Sequence, residues 1–115
     1  MATVADLGVR VLQRLNVISA VETPSAEDAA KAQQKVTDAH TMLAALGHTR
    51  WTITAWPAYA VPALVECAAA LASPEFGRMG ADAASWDVGE MMLCRVTAVP
   101  YMPTEESVPP DPGYT

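Results

Sequence analysis

The sequence has little charge, and basic charge is the scarcest. Charged residues make up 17% of the 115 residues, with seven Lys and Arg against thirteen Asp and Glu, which gives a net charge of −6. The basic residues are spread from Arg10 to Arg95 and form no cluster. Proteins that hold nucleic acid by its phosphates need such a cluster. This composition therefore argues against nucleic-acid binding as the main task.

The sequence also has few cysteines and no long apolar run. Cys67 and Cys94 are its two cysteines, too few for the disulfide framework of a small secreted domain. No apolar run approaches the roughly 18 residues of a membrane span, and the opening residues do not follow the pattern of a signal peptide. We therefore expect a soluble, intracellular protein with free thiols.

Large aliphatic side chains are scarce as well. Hydrophobic residues make up 51% of the chain, but 22 of them are alanine, while Leu, Ile, Val and Phe together number 23. The length suits one domain, whose core must be lean and closely packed. So few charges in an Ala-rich chain predict that part of the surface is covered by other copies or by a large partner.

Capping residues and helical spacing predict the first two helices. Thr3 and Asp6 form a capping box, and apolar residues follow at helical spacing at Val4, Leu7, Val11 and Leu15. Ser25 caps the second helix, which we expect to end at Gly47. The apolar seam of this helix, which we expect in the core, consists of Ala29, Ala32, Val36, Ala39, Leu43 and Leu46.

Two further helices complete an all-α body. We expect helix three to run from about residue 60 to Ala72, with Glu66 as its only charge, and helix four to run from about Asp82 to Thr97. Gly89 weakens helix four by about 1 kcal/mol, so we expect it to mark a close contact. Trp86, Leu93 and Val96 fall on one side of that helix, and Trp51 and Trp56 in the preceding linker are expected as core or interface anchors. The predicted fold is a small four-helix bundle over residues 1–98, without a sheet.

Residues 99–115 form a different kind of segment. They contain five of the nine prolines, three acids and no base. Proline prevents both a helix and a central strand here, so an extended tail that docks on a partner is expected, with a tail that has no role as the alternative. Its expected partner-binding residues are Val99, Pro100, Tyr101, Met102, Pro103, Val108 and Tyr114.

Residues able to carry chemistry are few. The soft metal-ligand candidates His40, His48, Cys67 and Cys94 are scattered and match no metal-binding spacing. We expect a polar helix face for His40, a loop for His48 and small core residues for the cysteines. The glycines form no phosphate-binding motif. No catalytic residue, metal or cofactor is therefore expected, and the chain is not expected to be an enzyme.

Three blocks and a closing segment carry a resemblance to a known family. They are D-L-G-V-R-V-L-Q-R-L-N-V, P-S-A-E-D-A, W-P-A-Y-A-V-P-A-L-V-E-C-A-A-A-L-A-S-P-E-F-G and A-V-P-Y-M-P-T. Over roughly residues 3–105 the chain resembles the head-to-tail adaptor (head-completion or connector) proteins of tailed bacteriophages and gene transfer agents.

The resemblance implies a structural role in the virion neck, after assembly in the host cytoplasm. Such adaptors form a ring of about twelve copies under the portal protein. The ring extends the DNA channel, helps retain the genome and provides a platform for head-closure or tail proteins, with DNA only as passing cargo and no membrane involved. Acids facing the channel would repel DNA, and the candidates are Asp82, Asp87 and Glu90. Lateral contacts are expected on helices one, three and four.

Two alternatives remain open at this point. A neighbouring neck component, either a head-closure or a tail-completion protein, would share these features. A small helical DNA-binding regulator is the other alternative, but it would need a basic recognition helix, which the distribution of charge does not offer.

Overall fold

The computed structural model describes residues 3–78 and 83–97, and this part of the chain is all-α without a strand. Its four α-helices are α1 (Val4–Arg14), α2 (Ala26–Ala45), α3 (Val61–Ala72) and α4 (Trp86–Thr97), and a 3₁₀ turn at Ser73–Phe76 follows α3. The predicted fold class, a four-helix protein without a sheet, is confirmed.

The predicted caps set the starts of the first two helices. Thr3 Oγ1 accepts a hydrogen bond from the Asp6 amide at 3.1 Å, and Asp6 Oδ2 accepts one from the Thr3 amide at 3.2 Å, which is the reciprocal capping box. Ser25 Oγ accepts from the Asp28 amide at 3.2 Å at the start of α2. Gly47 follows α2 with φ of 80°, the left-handed conformation in which glycine commonly ends a helix.

The end of α1 is closed by a residue far along the chain. Arg78 donates from Nε to the Leu15 carbonyl at 2.7 Å and from Nη2 to the Asn16 carbonyl at 3.1 Å. Asn16 itself has φ of 58°. Carbonyl groups at a helix C-terminus lack intrahelical partners, and a guanidinium group satisfies them well. Arg78 therefore connects the region after the 3₁₀ turn to the end of α1.

The seam of α2 is buried along its middle and exposed at its end. Four of the six predicted seam residues are fully buried, namely Ala32, Val36, Ala39 and Leu43. Ala29 is half-buried, and Leu46 has 56% of its surface exposed. The prediction is therefore confirmed in the middle of the seam and wrong at Leu46, because the helix ends at Ala45 and the chain turns away there.

Helix α3 is the central helix and packs against α1, α2 and α4. Eight of its twelve residues are buried, so it offers little surface for the lateral contacts expected of it. Its one charged residue, Glu66, binds Arg14 through two hydrogen bonds of 2.8 and 3.1 Å and accepts a third, at 2.9 Å, from the Ser85 amide. Glu66 thus joins α1, α3 and the segment that leads into α4.

Helix α4 meets α3 at a glycine. A Cβ atom added to Gly89 would lie 2.5 Å from Cys67 Sγ and 2.9 Å from the Cys67 amide nitrogen, so no larger residue fits. This confirms the expected close contact. Of the residues predicted on one side of this helix, Leu93 is buried, whereas Val96 is 40% exposed. The helix begins at Trp86, and residues 79–82 lie outside the described part of the chain.

Candidate functional site: helix α4 and the loop beside it

Most residues predicted to bind a partner lie outside the described part of the chain. This applies to the tail residues Val99, Pro100, Tyr101, Met102, Pro103, Val108 and Tyr114, and to Asp82. The predicted boundary between a body at 1–98 and a tail at 99–115 falls there as well. The tail is attached directly behind Thr97, the last residue of α4. The site can therefore be described as far as the point from which the tail departs.

Helix α4 carries apolar side chains on its solvent side. Val88 is 41% exposed and Met91 is 47% exposed, and these residues lie almost one helical turn apart. We call Val88 and Met91 the outer apolar pair. Asp87 is exposed next to this pair, as expected of an acid that faces outward. An apolar pair beside an acid gives α4 a surface that could contact another chain.

Glu90 differs from Asp87, because its carboxylate already has a partner within the protein. Glu90 Oε2 lies 2.7 Å from Nε2 of His48, in the loop that follows α2. Its side chain is only 31% exposed. The expectation that Glu90 faces a DNA channel stays a prediction, but this acid is already paired within the protein. The carboxylate is directed toward the α2–α3 loop instead.

The same loop carries an aromatic cluster. Trp56 is 4% exposed and donates from Nε1 to His40 Nδ1 at 3.0 Å. Its ring meets Trp51 edge to face, with 5.2 Å between centroids, and Trp51 meets Tyr59 in the same way at 6.3 Å. Trp56 is thus the core anchor that was predicted. His40, expected on a polar face, instead accepts the indole hydrogen bond, and burial lowers its pKa.

His48 also lies next to a cysteine that is far away in sequence. Cys94 Sγ is 3.8 Å from His48 Nδ1, while Glu90 lies at the other ring nitrogen. Glu90 and Cys94 are four residues apart and share one side of α4. Sequence spacing could identify that pair, but His48 precedes them by more than 40 residues. The sequence showed these residues as scattered, whereas the structure brings them together.

An open cleft of about 320 Å³ lies beside this cluster. Its lining consists of Gly47, His48, Thr49, Arg50, Trp51 and Thr97. The cleft therefore lies between the start of the α2–α3 loop and the end of α4. It offers a histidine ring, an arginine and an aromatic face, close to the point where the tail is attached.

The two cysteines lie in opposite environments. Cys67 is buried, and burial, with smaller contributions from the charges of Glu90 and Glu66, raises the pKa of its thiol to about 12. Cys94 is exposed. Cys67 is the small core residue that was predicted, and the same prediction is wrong for Cys94.

The residues of the cluster do not form a metal cage. Over residues 3–78 and 83–97, no three His, Cys, Asp or Glu side chains converge on a common point. Cys94 and Glu90 lie at opposite nitrogens of the His48 ring, so the three residues cannot all bind one ion. The geometry is instead that of a carboxylate, an imidazole and a thiol arranged in series.

Two further observations concern membrane insertion and similarity to known proteins. None of the helices described above is long and apolar enough to cross a bilayer. The chain matches no known protein family, no curated protein and no solved structure.

Proposed function

We propose that this protein is a head-to-tail adaptor in the neck of a tailed bacteriophage or a related particle. As a ring under the portal, it would extend the DNA channel, help retain the packaged genome and provide the platform for the tail. The resemblance of roughly residues 3–105 to that family carries the proposal. The ring and its partners follow from this resemblance, and the features below support them.

The motifs behind the resemblance coincide with structural boundaries. The P-S-A-E-D-A block spans the N-cap and first turn of α2, where Ser25 makes the capping hydrogen bond. The long block that begins at Trp56 covers the buried indole, all of α3 and the 3₁₀ turn, and ends at Gly77 with φ of 68°. The second block thus begins beside an N-cap, and the third begins at a buried indole and ends at a left-handed glycine, which supports a comparison with an all-α adaptor subunit.

The described surface suits lateral packing between copies. The outer apolar pair, Val88 and Met91, lies on a helix whose main contact within the protein is α3 alone. Heterologous contacts around a ring join two different faces of the subunit. The exposed residues of α1 include Asp6 and Arg10, and those of α4 include Asp87 and Arg95, so each face carries charges of both signs that can pair across such a contact. We infer that α4 of one copy packs near α1 of the next.

Charge supports passage of DNA rather than its capture. The net charge of −6 would repel the duplex if part of it lines the channel, and Asp87, exposed on α4, is a described candidate for that position. The tail, residues 99–115, would hold the portal. Each copy in a ring adds one such contact, so weak individual contacts sum to stable attachment.

The test is binding to the portal protein of the same particle, followed by electron microscopy of the assembled neck. We expect full-length protein to form a ring on the portal, and a variant lacking residues 99–115 to remain helical but to lose binding. Met91→Glu should weaken the ring, whereas Val21→Glu should not, because Val21 is 92% exposed and far along the chain from α4. If the density of this protein lay next to the phage tail and not next to the portal, the head-closure or tail-completion alternative would be favoured.

A further inference from the structure

Three side chains form a hydrogen-bonded series at the edge of the cleft. Glu90 and Cys94 project from α4, and the ring of His48 spans the distance between them. The carboxylate lies 2.7 Å from Nε2, and the sulfur lies 3.8 Å from Nδ1. None of the three is needed to fill the core, since His48 and Glu90 are half-buried and Cys94 is exposed.

The carboxylate determines what the imidazole can do. A carboxylate accepts hydrogen bonds, so Nε2 must carry the proton in this pair. In the neutral ring, Nδ1 then has its lone pair free and directed toward the thiol of Cys94. A thiol beside a base that is oriented by a third group is the arrangement that activates a cysteine nucleophile.

We propose that Cys94 is a nucleophilic thiol that exchanges with small disulfides, with His48 as its base and Glu90 as a positioning residue. In this step Nδ1 of His48 takes the thiol proton while the sulfur attacks one sulfur of the disulfide. The disulfide bond breaks, and a mixed disulfide forms at Cys94. The other half leaves as a thiolate and takes the proton back from the imidazolium. Cys94 is oxidised and the leaving half is reduced, so no further reactant is needed.

The cleft indicates which disulfides would react best. Thr97, one turn after Cys94, lines it together with Arg50 and Trp51. The guanidinium group of Arg50 would attract a carboxylate, and the Trp51 ring offers a face for a flat group. The favoured class is therefore a small anionic disulfide. Among the described residues, the charged groups around the thiol are Glu90, Arg50 and the exposed Arg95, besides His48 when it is protonated.

Cys67 serves as an internal control for this reaction. It is fully buried beneath α4, and its pKa is raised to about 12. The thiolate is the reactive form, so Cys67 should not react while the protein is folded. Folded protein should therefore expose one reactive thiol, and denatured protein two.

The experiment measures the rate of reaction with 5,5′-dithiobis(2-nitrobenzoate), a small aromatic dicarboxylate disulfide, on the full chain between pH 5.5 and 9. We expect one fast equivalent in the wild type and none in Cys94→Ser. A general base commonly contributes a hundredfold or more, and for this partly exposed pair we expect His48→Gln to slow the reaction about tenfold at pH 7. Glu90→Gln should slow it less, by about threefold, because the base remains but is less well oriented.

The pH profile separates a base from a structural residue. The wild-type rate should fall on acidification, because a protonated imidazole can no longer take the proton of the thiol. The His48→Gln profile should instead rise only toward alkaline pH, as for an isolated thiol. Thermal unfolding checks that each variant is folded, and His48→Asn serves as a second variant if His48→Gln is not.

Two results would overturn the proposal. One is a His48→Gln rate equal to that of the wild type at every pH. The other appears with 4,4′-dithiodipyridine, an uncharged disulfide at neutral pH. If the His48→Gln effect vanished with this probe, charge attraction alone would explain it, and His48 would not be a base. An equal loss with both probes supports the base. Portal binding is not involved, so this test and that of the proposed function fail independently.

Discussion

Helices α2 and α4 both pack on α3 through small residues, but they use their surfaces differently. In α2, the buried seam takes up the apolar residues of the helix middle, and Met42, at 43% exposed, is its one large apolar side chain that stays at the surface. In α4, only Gly89 and Leu93 are buried, while Val88, Met91 and Val96 remain at least 40% exposed. A helix that keeps most of its large apolar residues in the core mainly stabilises the fold. A helix that retains exposed apolar residues has surface left for another chain.

The largest effect is expected in the α2 seam. Ala39 is fully buried, so Ala39→Glu would place an unpaired charge in a closely packed contact. We expect a loss of about 4 kcal/mol or more, which means unfolding or aggregation. Ala44→Glu, an exposed site on the same helix, should change stability by less than about 0.5 kcal/mol. Circular dichroism and thermal unfolding measure both. If the Ala39→Glu protein stayed folded and failed only to assemble, the seam would belong to an interface between copies and not to the core.

A smaller loss is expected where α4 approaches α3. Ala is the better helix former by about 1 kcal/mol, yet Gly89→Ala forces Cys67 and its backbone to move. We expect a net loss of about 2 kcal/mol in urea unfolding. Gly8→Ala is the matched control, since the nearest atom there, at 3.1 Å, belongs to the movable Gln33 side chain. If Gly89→Ala were as stable as Gly8→Ala, α4 would not be held by this contact.

The smallest effect concerns His40 and pH. Burial lowers the pKa of His40 in the folded protein, so the unfolded chain takes up this proton at a higher pH than the folded chain does. Acidification through pH 6.5 should therefore reduce stability, and protonated Nδ1 could no longer accept from Trp56. Denaturant unfolding at pH 7.5 and 5.5 measures the loss. His40→Gln should show a smaller difference between the two pH values, and an unchanged difference would assign the effect to another group.

Local features of this fold were predictable from sequence, whereas contacts between distant residues were not. The Thr3 and Ser25 caps, the Gly47 stop and the Gly89 contact each depend on residues or spacings within one element. An error arose at Leu46, where an apolar period ran past the packed length of a helix, and the apolar side of α4 likewise extends to the exposed Val96.

The features that could not be predicted from the sequence are mostly polar contacts between distant parts of the chain. Glu66 contacts residues that are 19 and 52 positions away in the sequence, and His48 contacts residues that are 42 and 46 positions away. No local sequence pattern encodes contacts at such separations. An isolated acid in a nearly uncharged helix, as at Glu66, is nevertheless a usable signal, because a buried carboxylate needs partners. For Cys94 the i,i+4 spacing from Glu90 was present, but without His48 it has no chemical meaning.

The closure of α1 by Arg78 has a consequence for how the chain is made. Helix α1 is synthesised before α2, α3 and α4, but the carbonyls at its end receive their guanidinium partner only after more than 60 further residues have been synthesised. Until then those carbonyls must accept hydrogen bonds from water, and a helix this short has only marginal stability on its own. Helix α1 therefore lacks this partner while α2 and α3 are being made, and a nascent chain that stalls before residue 78 would leave α1 free to fray.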